Sequence, residues 1–185
     1  MATAAAPYGF KPVKRTDGMP YAGATTQYLI DPAGEGTNLY YGQVVILGAD
    51  GYVALATASG VFVGCSYQNA QGLQFSQHYP TGQTYNSTEI TAYVVDDPNV
   101  LFQCQLDGTG VQTIVGTNST FAAVQSTSTG STTTGNSTTA LDATVATTAK
   151  AFRIVSFVSP TTDAYPDVLV AFSFGFTRAT NNVGL

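Results

Sequence analysis

Short apolar runs alternate with polar, turn-forming stretches along most of this chain, and this spacing predicts strands. The predicted strands cover residues 27–30, 40–47, 52–56, 61–67, 89–95, 100–106, 151–158 and 168–176. No long window shows the 3.6-residue periodicity of an amphipathic helix. A series of short strands at intervals of about 8–15 residues is typical of an antiparallel β-sandwich or barrel, so we expect an all-β fold.

Turn signals between these runs predict how the strands pair. Residues 50–51 are an Asp-Gly pair between the second and third predicted strands, and such a pair between apolar runs favours a hairpin. Residues 96–99 read Asp-Asp-Pro-Asn between the fifth and sixth predicted strands, which we expect to form a second hairpin. Gly64, inside the fourth predicted strand, predicts a β-bulge or a close backbone approach. A further short strand is predicted within residues 73–79.

Changes of composition along the chain predict its domain organisation. Residues 1–26 contain three prolines and no periodic apolar pattern, so we expect an extended N-terminal arm. Residues 27–176 hold all the predicted strands and form the expected β-sandwich or barrel domain, and residues 177–185 are expected to be a polar C-terminal tail. Residues 125–139 consist mostly of Ser, Thr and Gly, which predicts a surface loop or a mobile segment.

Charged residues are scarce, and this excludes some classes of partner. Only 9% of the residues are charged, where about 25% is usual, and the net charge is −5. A nucleic-acid-binding protein needs a broad basic footprint, so we expect no nucleic-acid partner. No apolar run approaches the roughly 18 residues of a membrane-spanning helix, so we expect no membrane partner either. Hydroxyl and amide side chains supply the polarity, and these groups are cheaper to bury against another protein than ions are.

The residues that could carry chemistry do not form a recognisable catalytic pattern. His78 is the only histidine, and no Gly-x-Ser-x-Gly motif accompanies it, so we interpret it as a loop or edge-strand residue. Asp96 and Asp97 are adjacent, but neighbours on a strand point to opposite faces, which favours a turn over an acid–base pair. Cys65 and Cys104 lie in apolar stretches, where two buried thiols are favoured over a disulfide. We therefore expect no catalytic residues, no cofactor, no metal site and no enzymatic activity.

The predicted arm contains half of the positive charge of the chain. Three of the six Lys and Arg residues fall within residues 11–15. This cluster is either a solvated piece of the arm or a strap that docks on an acidic neighbour, and prolines that extend the segment would lower the cost of ordering it. We favour the strap and expect its deletion with residues 1–20 to leave a folded core. The candidate partner contacts are Tyr8, Phe10, Lys11, Lys14 and Arg15.

An ordered series of motifs gives a family resemblance. The motifs include Tyr-Gly-Phe-Lys-Pro-Val at 8–13, Gly-Gln-Val-Val-Ile at 42–46, Val-Phe-Val-Gly-Cys-Ser-Tyr at 61–67, Ala-Tyr-Val-Val-Asp-Asp-Pro at 92–98 and Phe-Arg-Ile-Val-Ser-Phe at 152–157. The series resembles the head decoration, or cement, proteins of tailed bacteriophages. The resemblance implies a β-rich protein, often a homotrimer, that binds the major capsid protein on the outer surface of the virion capsid and stabilises the shell. The Ser/Thr/Gly-rich residues 125–139 depart from that family pattern.

Two other functions fit the same composition. The chain is also compatible with another structural protein of the virion, in the tail or the baseplate. A carbohydrate-binding β-sandwich module is a third possibility, because aromatic side chains and polar loops suit sugar rings. The absence of tryptophan argues against this third function.

Overall fold

The computed structural model describes residues 4–32, 37–55, 60–81, 89–123, 125 and 129–173. These residues form eleven strands and one 3₁₀ helix, at Gln112–Ile114. The strands are β1 (Lys11–Arg15), β2 (Thr26–Ile30), β3 (Val44–Leu47), β4 (Val53–Leu55), β5 (Gly60–Asn69), β6 (Gly72–Ser76), β7 (Ile90–Val95), β8 (Val100–Gln105), β9 (Asn118–Ser119), β10 (Phe152–Phe157) and β11 (Asp167–Phe172). The predicted all-β class is confirmed.

Two antiparallel sheets pack against each other as a β-sandwich. Sheet A has the strand order β1-β8-β11-β10-β9, and sheet B has the order β2-β7-β5-β3-β4, with β6 paired to β5. The core between the sheets is rich in phenylalanine. Phe10 stacks on Phe152 with ring centroids 4.4 Å apart, and Phe152 stacks in turn on Phe172 at 5.3 Å. Such aromatic contacts add to the hydrophobic stabilisation that burial itself provides.

Sheet B also encloses a second, mostly aliphatic core. Leu29 of β2 bridges to Tyr52, next to β4, so the two outer strands of the sheet approach each other and the sheet curls. Successive side chains of a strand point to opposite faces, and β5 therefore places Val61 in the first core and Phe62 in the second. Sheet B is thus covered on both faces at this end, which explains why β5 is almost continuously apolar there.

The predicted Asp-Gly hairpin and the predicted bulge are both confirmed. β3 and β4 pair antiparallel, and the Gly48 N–H donates to the Tyr52 carbonyl at 2.8 Å across the turn. Gly64 has φ +146°, and the register of β5 on β7 shifts beside it. A Cβ at Gly64 would lie 3.0 Å from the Ser76 carbonyl oxygen, so the glycine lets β6 approach closely.

The second predicted hairpin is wrong. β7 lies in sheet B between β2 and β5, whereas β8 lies in sheet A between β1 and β11. Residues 96–99 therefore cross from one sheet to the other. Val95 and Val100, on either side of this crossing, are both buried in the core between the sheets. Because alternation specifies which face of a strand is buried and not which strand lies beside it, the sequence pattern did not distinguish a hairpin from a crossing.

The described part of the predicted N-terminal arm is built into the sandwich and turns back after β1, where the Tyr21 N–H donates to the Val13 carbonyl at 3.2 Å. β1 pairs antiparallel with β8, and Phe10 is fully buried in the first core. Pro12 is tolerated because β1 is an edge strand, where a missing N–H costs little. Residue 26 therefore does not separate an arm from the core. Deletion of residues 1–20 would remove β1 and Phe10, so we no longer expect it to leave an intact core.

The described part of the Ser/Thr/Gly-rich segment packs through hydrogen bonds. The Gln125 amide accepts from the Val44 N–H at 2.8 Å and donates to the Val44 carbonyl at 2.9 Å, as a neighbouring strand would. Ser137 is only 1% exposed. This segment is therefore part of the packed surface of sheet B at these positions.

The remaining predicted segments have mixed outcomes. Residues 139–148 form isolated bridges and no regular strand, and Leu141 within them is fully buried. The last predicted strand is β11 up to Phe172. Its final residues, 174–176, and the predicted tail at 177–185 lie outside the described residues.

Candidate functional site

The five predicted partner contacts do not form one surface. Phe10 is fully buried, so a partner cannot reach it in this fold and the prediction is wrong for that residue. Arg15 lies 2.7 Å from Asp97 and 3.4 Å from Asp17, so carboxylates of the chain itself engage its charge. Tyr8 and Lys11 line a shallow cleft on the surface. Lys14 lies outside that cleft, on β1.

The adjacent carboxylates of Asp96 and Asp97 do not converge. Asp96 accepts hydrogen bonds from the Thr26 hydroxyl at 2.7 Å and the Tyr28 hydroxyl at 2.6 Å, both on β2. Asp97 accepts from the Arg15 guanidinium of β1 at 2.7 Å. Each carboxylate therefore ties the crossing segment to a different sheet.

His78 follows β6 and packs against a tyrosine. Its ring stacks on Tyr40 with centroids 5.9 Å apart, and its backbone carbonyl accepts from the Cys65 thiol at 3.5 Å. Partial burial lowers the pKa of His78, so it is neutral at pH 7. In the part of the chain that the structure describes, no group of three His, Cys, Asp or Glu side chains could hold a metal ion.

The two cysteines lie in different cores, as the prediction of two separate thiols requires. Cys104 is in the core between the sheets and Cys65 is in the core of sheet B, and both are free. Burial raises the pKa of Cys65 to about 12 and raises that of Cys104 as well. Both thiols are therefore protonated and unreactive in the folded protein near neutral pH.

The most exposed apolar feature of the described surface is strand β6. Leu73 is 63% exposed and Phe75 is 72% exposed, and their i, i+2 spacing places both on one face of the strand. β6 pairs with β5, and its other edge meets no strand among the described residues. No charged residue occurs between 68 and 77. Natural edge strands are usually protected by charges, prolines or bulges, and β6 has none of these, so its edge is the candidate contact surface among the described residues.

A signal for this edge was present in the sequence. Residues 72–76 read Gly-Leu-Gln-Phe-Ser, in which apolar and polar positions alternate. The short strand was predicted, but alternation gives no information on whether the apolar face meets a core or solvent. The structure shows that Leu73 pairs with Gln68 of β5 and Phe75 pairs with Ser66. Gln68 is itself exposed, so this face of the sheet has no core there for the two apolar side chains to enter.

Comparisons with protein-family models, with curated proteins and with solved structures all give no match. Among the described residues, no helix is long and apolar enough to cross a membrane. The function is therefore argued from the fold and from the β6 edge.

Proposed function

We propose that this protein is a head decoration, or cement, protein of a tailed bacteriophage. It binds the major capsid protein on the outer surface of the capsid and braces neighbouring subunits of the shell. The observation that carries this proposal is the uncharged β6 edge, with Leu73 and Phe75 exposed on the sandwich. The low charge of the whole chain supports it, because few ions need to be desolvated in a large interface.

The β6 edge suits attachment by strand addition. A strand of a shell subunit would pair with the open backbone edge of β6, and its side chains would cover Leu73 and Phe75. Main-chain hydrogen bonds would then give affinity, and the two apolar side chains would fix the register. β6 is held for this role by five residue pairs with β5, from Cys65–Ser76 to Asn69–Gly72.

The size of this edge argues for several attached copies. Burying Leu73 and Phe75 contributes about 3–6 kcal/mol together, at about 1.5–3 kcal/mol each. Association costs about 4–15 kcal/mol in lost translational and rotational freedom. One edge is therefore marginal alone, whereas linked copies convert later contacts into intramolecular ones. This arithmetic supports attachment by several linked copies, for which we propose a homotrimer.

The proposed role is structural and needs no catalysis. Asp96 and Asp97 are occupied by hydrogen bonds from the two sheets, and the His78 ring lies against Tyr40. We therefore propose a protein that acts by adhesion, with no enzymatic activity.

The test is attachment to capsids that lack this protein. The variant Leu73→Lys with Phe75→Lys places two charges on the β6 edge, and we expect it to lose attachment in a cosedimentation assay. The control is Val155→Lys with Val158→Lys, which adds the same charge at two exposed apolar positions, one in β10 and one directly after it. The control should attach as the unmodified protein does, and both variants should keep the thermal unfolding transition.

Two outcomes of this experiment would contradict the proposal. If the β6 variant cosediments with capsids as the unmodified protein does, the β6 edge is not the attachment surface. Electron microscopy of particles with the bound protein must also place it on the head. Density on the tail or baseplate instead would favour the second virion function.

A further inference from the structure

The cleft beside β1 has the composition of a ligand site. It has a volume of about 540 Å³, within the range of about 300–1,000 Å³ that is usual for small-molecule sites. It lies where the N-terminal segment, sheet A, the start of sheet B and the Ser/Thr/Gly-rich segment meet. Its lining residues are Tyr8, Lys11, Tyr41, Gln77, Gln103 and Asn136.

The wall around Tyr41 is held by backbone contacts. The Tyr41 N–H donates to the Gly135 carbonyl at 2.9 Å, and the Ser137 N–H donates to the Tyr41 carbonyl at 2.9 Å. Behind this wall, a Cβ at Gly9 would lie 2.7 Å from the Gly42 carbonyl oxygen, so only glycine permits this approach. The cleft is therefore formed before any ligand arrives, which lowers the ordering cost of binding.

The polar groups of the cleft are partly engaged with one another. The Gln77 amide donates to the Asn136 side-chain oxygen at 2.5 Å, and the Gln103 amide donates to Asp167 at 3.1 Å. The side-chain oxygens of Gln77 and Gln103 remain as acceptors, and the Asn136 amide nitrogen remains as a donor. These fixed groups match the alternating donors and acceptors of sugar hydroxyls.

Among the described residues that line the cleft, Lys11 is the charged one. Lys11 is exposed and makes no ion pair with any described residue, and none of the six lining residues is acidic. Tyr8 and Tyr41 are half-buried and add two phenol rings. Burial raises the pKa of both hydroxyls, so the rings are neutral at pH 7. An acidic group on a ligand would therefore meet the Lys11 ammonium. The Asp167 carboxylate accepts from Gln103 and interacts with Tyr8, so its negative charge partly opposes that attraction.

We propose that this cleft binds an acidic saccharide, with sugar rings against Tyr8 and Tyr41, hydroxyls bonded to the amides and a carboxylate paired with Lys11. A peptide is disfavoured, because none of the described residues that line the cleft has an aliphatic side chain to hold an apolar anchor. The tyrosines supply the aromatic surface that tryptophan often provides. This binding activity is independent of attachment through β6.

The test is a binding screen with matched acidic and neutral oligosaccharides. The panel contains uronic-acid and sialic-acid oligosaccharides, each beside its neutral counterpart, and affinities of the hits are measured by calorimetry. We expect preferential binding of an acidic member and weaker binding at high salt. Lys11→Gln should lower that affinity about tenfold or more, because a hydrogen bond to a charged group is lost.

The matched control is Lys14→Gln, which removes the same charge from the same strand outside the cleft. It should bind the acidic saccharide as the unmodified protein does. The proposal is overturned if no acidic saccharide binds, or if Lys11→Gln and Lys14→Gln lose the same affinity for the acidic saccharide. It is also overturned if the protein binds members of a peptide panel in preference to the saccharides. Lys11→Gln should still attach to capsids, so this result is separate from the test of the β6 edge.

Discussion

The edge strands β1 and β6 have opposite character. β1, at the edge of sheet A, carries Lys11, Pro12, Lys14 and Arg15, and its register shifts between Pro12 and Lys14. Charge, proline and irregular pairing are the devices that keep an edge from pairing with other chains. β6 has none of these and exposes two large apolar side chains on a regular ladder. The difference indicates that β1 is protected against pairing with other chains, since residues 19–21 also pair with it, whereas the second edge of β6 is open among the described residues.

A phenylalanine at each edge makes the same contrast at the level of one residue. Phe10, next to β1, is fully buried and stacks on Phe152, whereas Phe75 in β6 is 72% exposed. The first stabilises the fold, and the second is available for a partner. Substitutions at the two positions should therefore separate stability from attachment.

The largest expected effect is that of Phe10→Ala. Removing a fully buried aromatic ring leaves a cavity, and we expect the free energy of unfolding to fall by about 3–5 kcal/mol. Denaturant unfolding followed by circular dichroism measures this change.

The matched control is Phe75→Ala, which should change the free energy of unfolding by no more than about 0.5 kcal/mol because the side chain is exposed. Equal costs at the two positions would contradict the assignment of Phe10 to the core and Phe75 to the surface.

The accessibility of the two cysteine thiols compares how readily β6 and the interior of sheet A open. Cys65 pairs with Ser76 of β6, whereas Cys104 lies on β8, between β1 and β11. Because β6 is held by one neighbour, we expect local detachment of β6 to expose Cys65, and Cys104 to become accessible only when the sandwich unfolds. Thiol labelling of Cys104→Ala and Cys65→Ala variants, each with one thiol, should be about tenfold faster or more at Cys65.

Attachment of the protein to capsids should slow the labelling of Cys65 if a shell subunit covers β6. Labelling that is equally fast at both thiols would mean that the edges open together, and the contrast between β1 and β6 would then be one of composition alone.

The smallest expected effect is at the ion pair that ties β1 to the crossing segment. The Arg15 and Asp97 side chains are 37% and 30% exposed, and exposed pairs contribute about 0–1 kcal/mol. Asp97→Asn keeps an oxygen acceptor and loses the charge, so we expect a destabilisation of about 1 kcal/mol in denaturant unfolding. Asp17→Asn, at the longer contact with Arg15, should cost less. A loss above about 2 kcal/mol would show that β1 depends on this pair as well as on Phe10.

The sequence predicted those parts of the fold that depend on near neighbours. The hairpin of β3 and β4 was predicted because its Asp-Gly turn lies between the strands that it joins, and Gly64 was predicted to be a bulge from its own position in β5. The pairing of β7 with β8 was predicted wrongly, because residues 96–99 are equally compatible with a turn and with a crossing.

The candidate sites were predicted less well than the fold. Lys11 and Tyr8 were selected as contacts in a basic arm, and the structure places them in a cleft with residues that are distant in sequence, such as Gln77 and Asn136. Phe10 was selected for the same reason and is in the core. Composition identified unusual residues here but could not assign them to a surface, because exposure depends on the packing of the other strands.

The sequence by itself determined the all-β class, the approximate strand positions and the local turns, because alternation and turn chemistry act over a few residues. Only the tertiary structure decided which strands share a sheet, that Phe10 is buried and that Leu73 and Phe75 are not. These outcomes depend on contacts between residues tens of positions apart. One face of sheet B has no core over it where β6 pairs with β5, and the apolar side chains of β6 were therefore left at the surface.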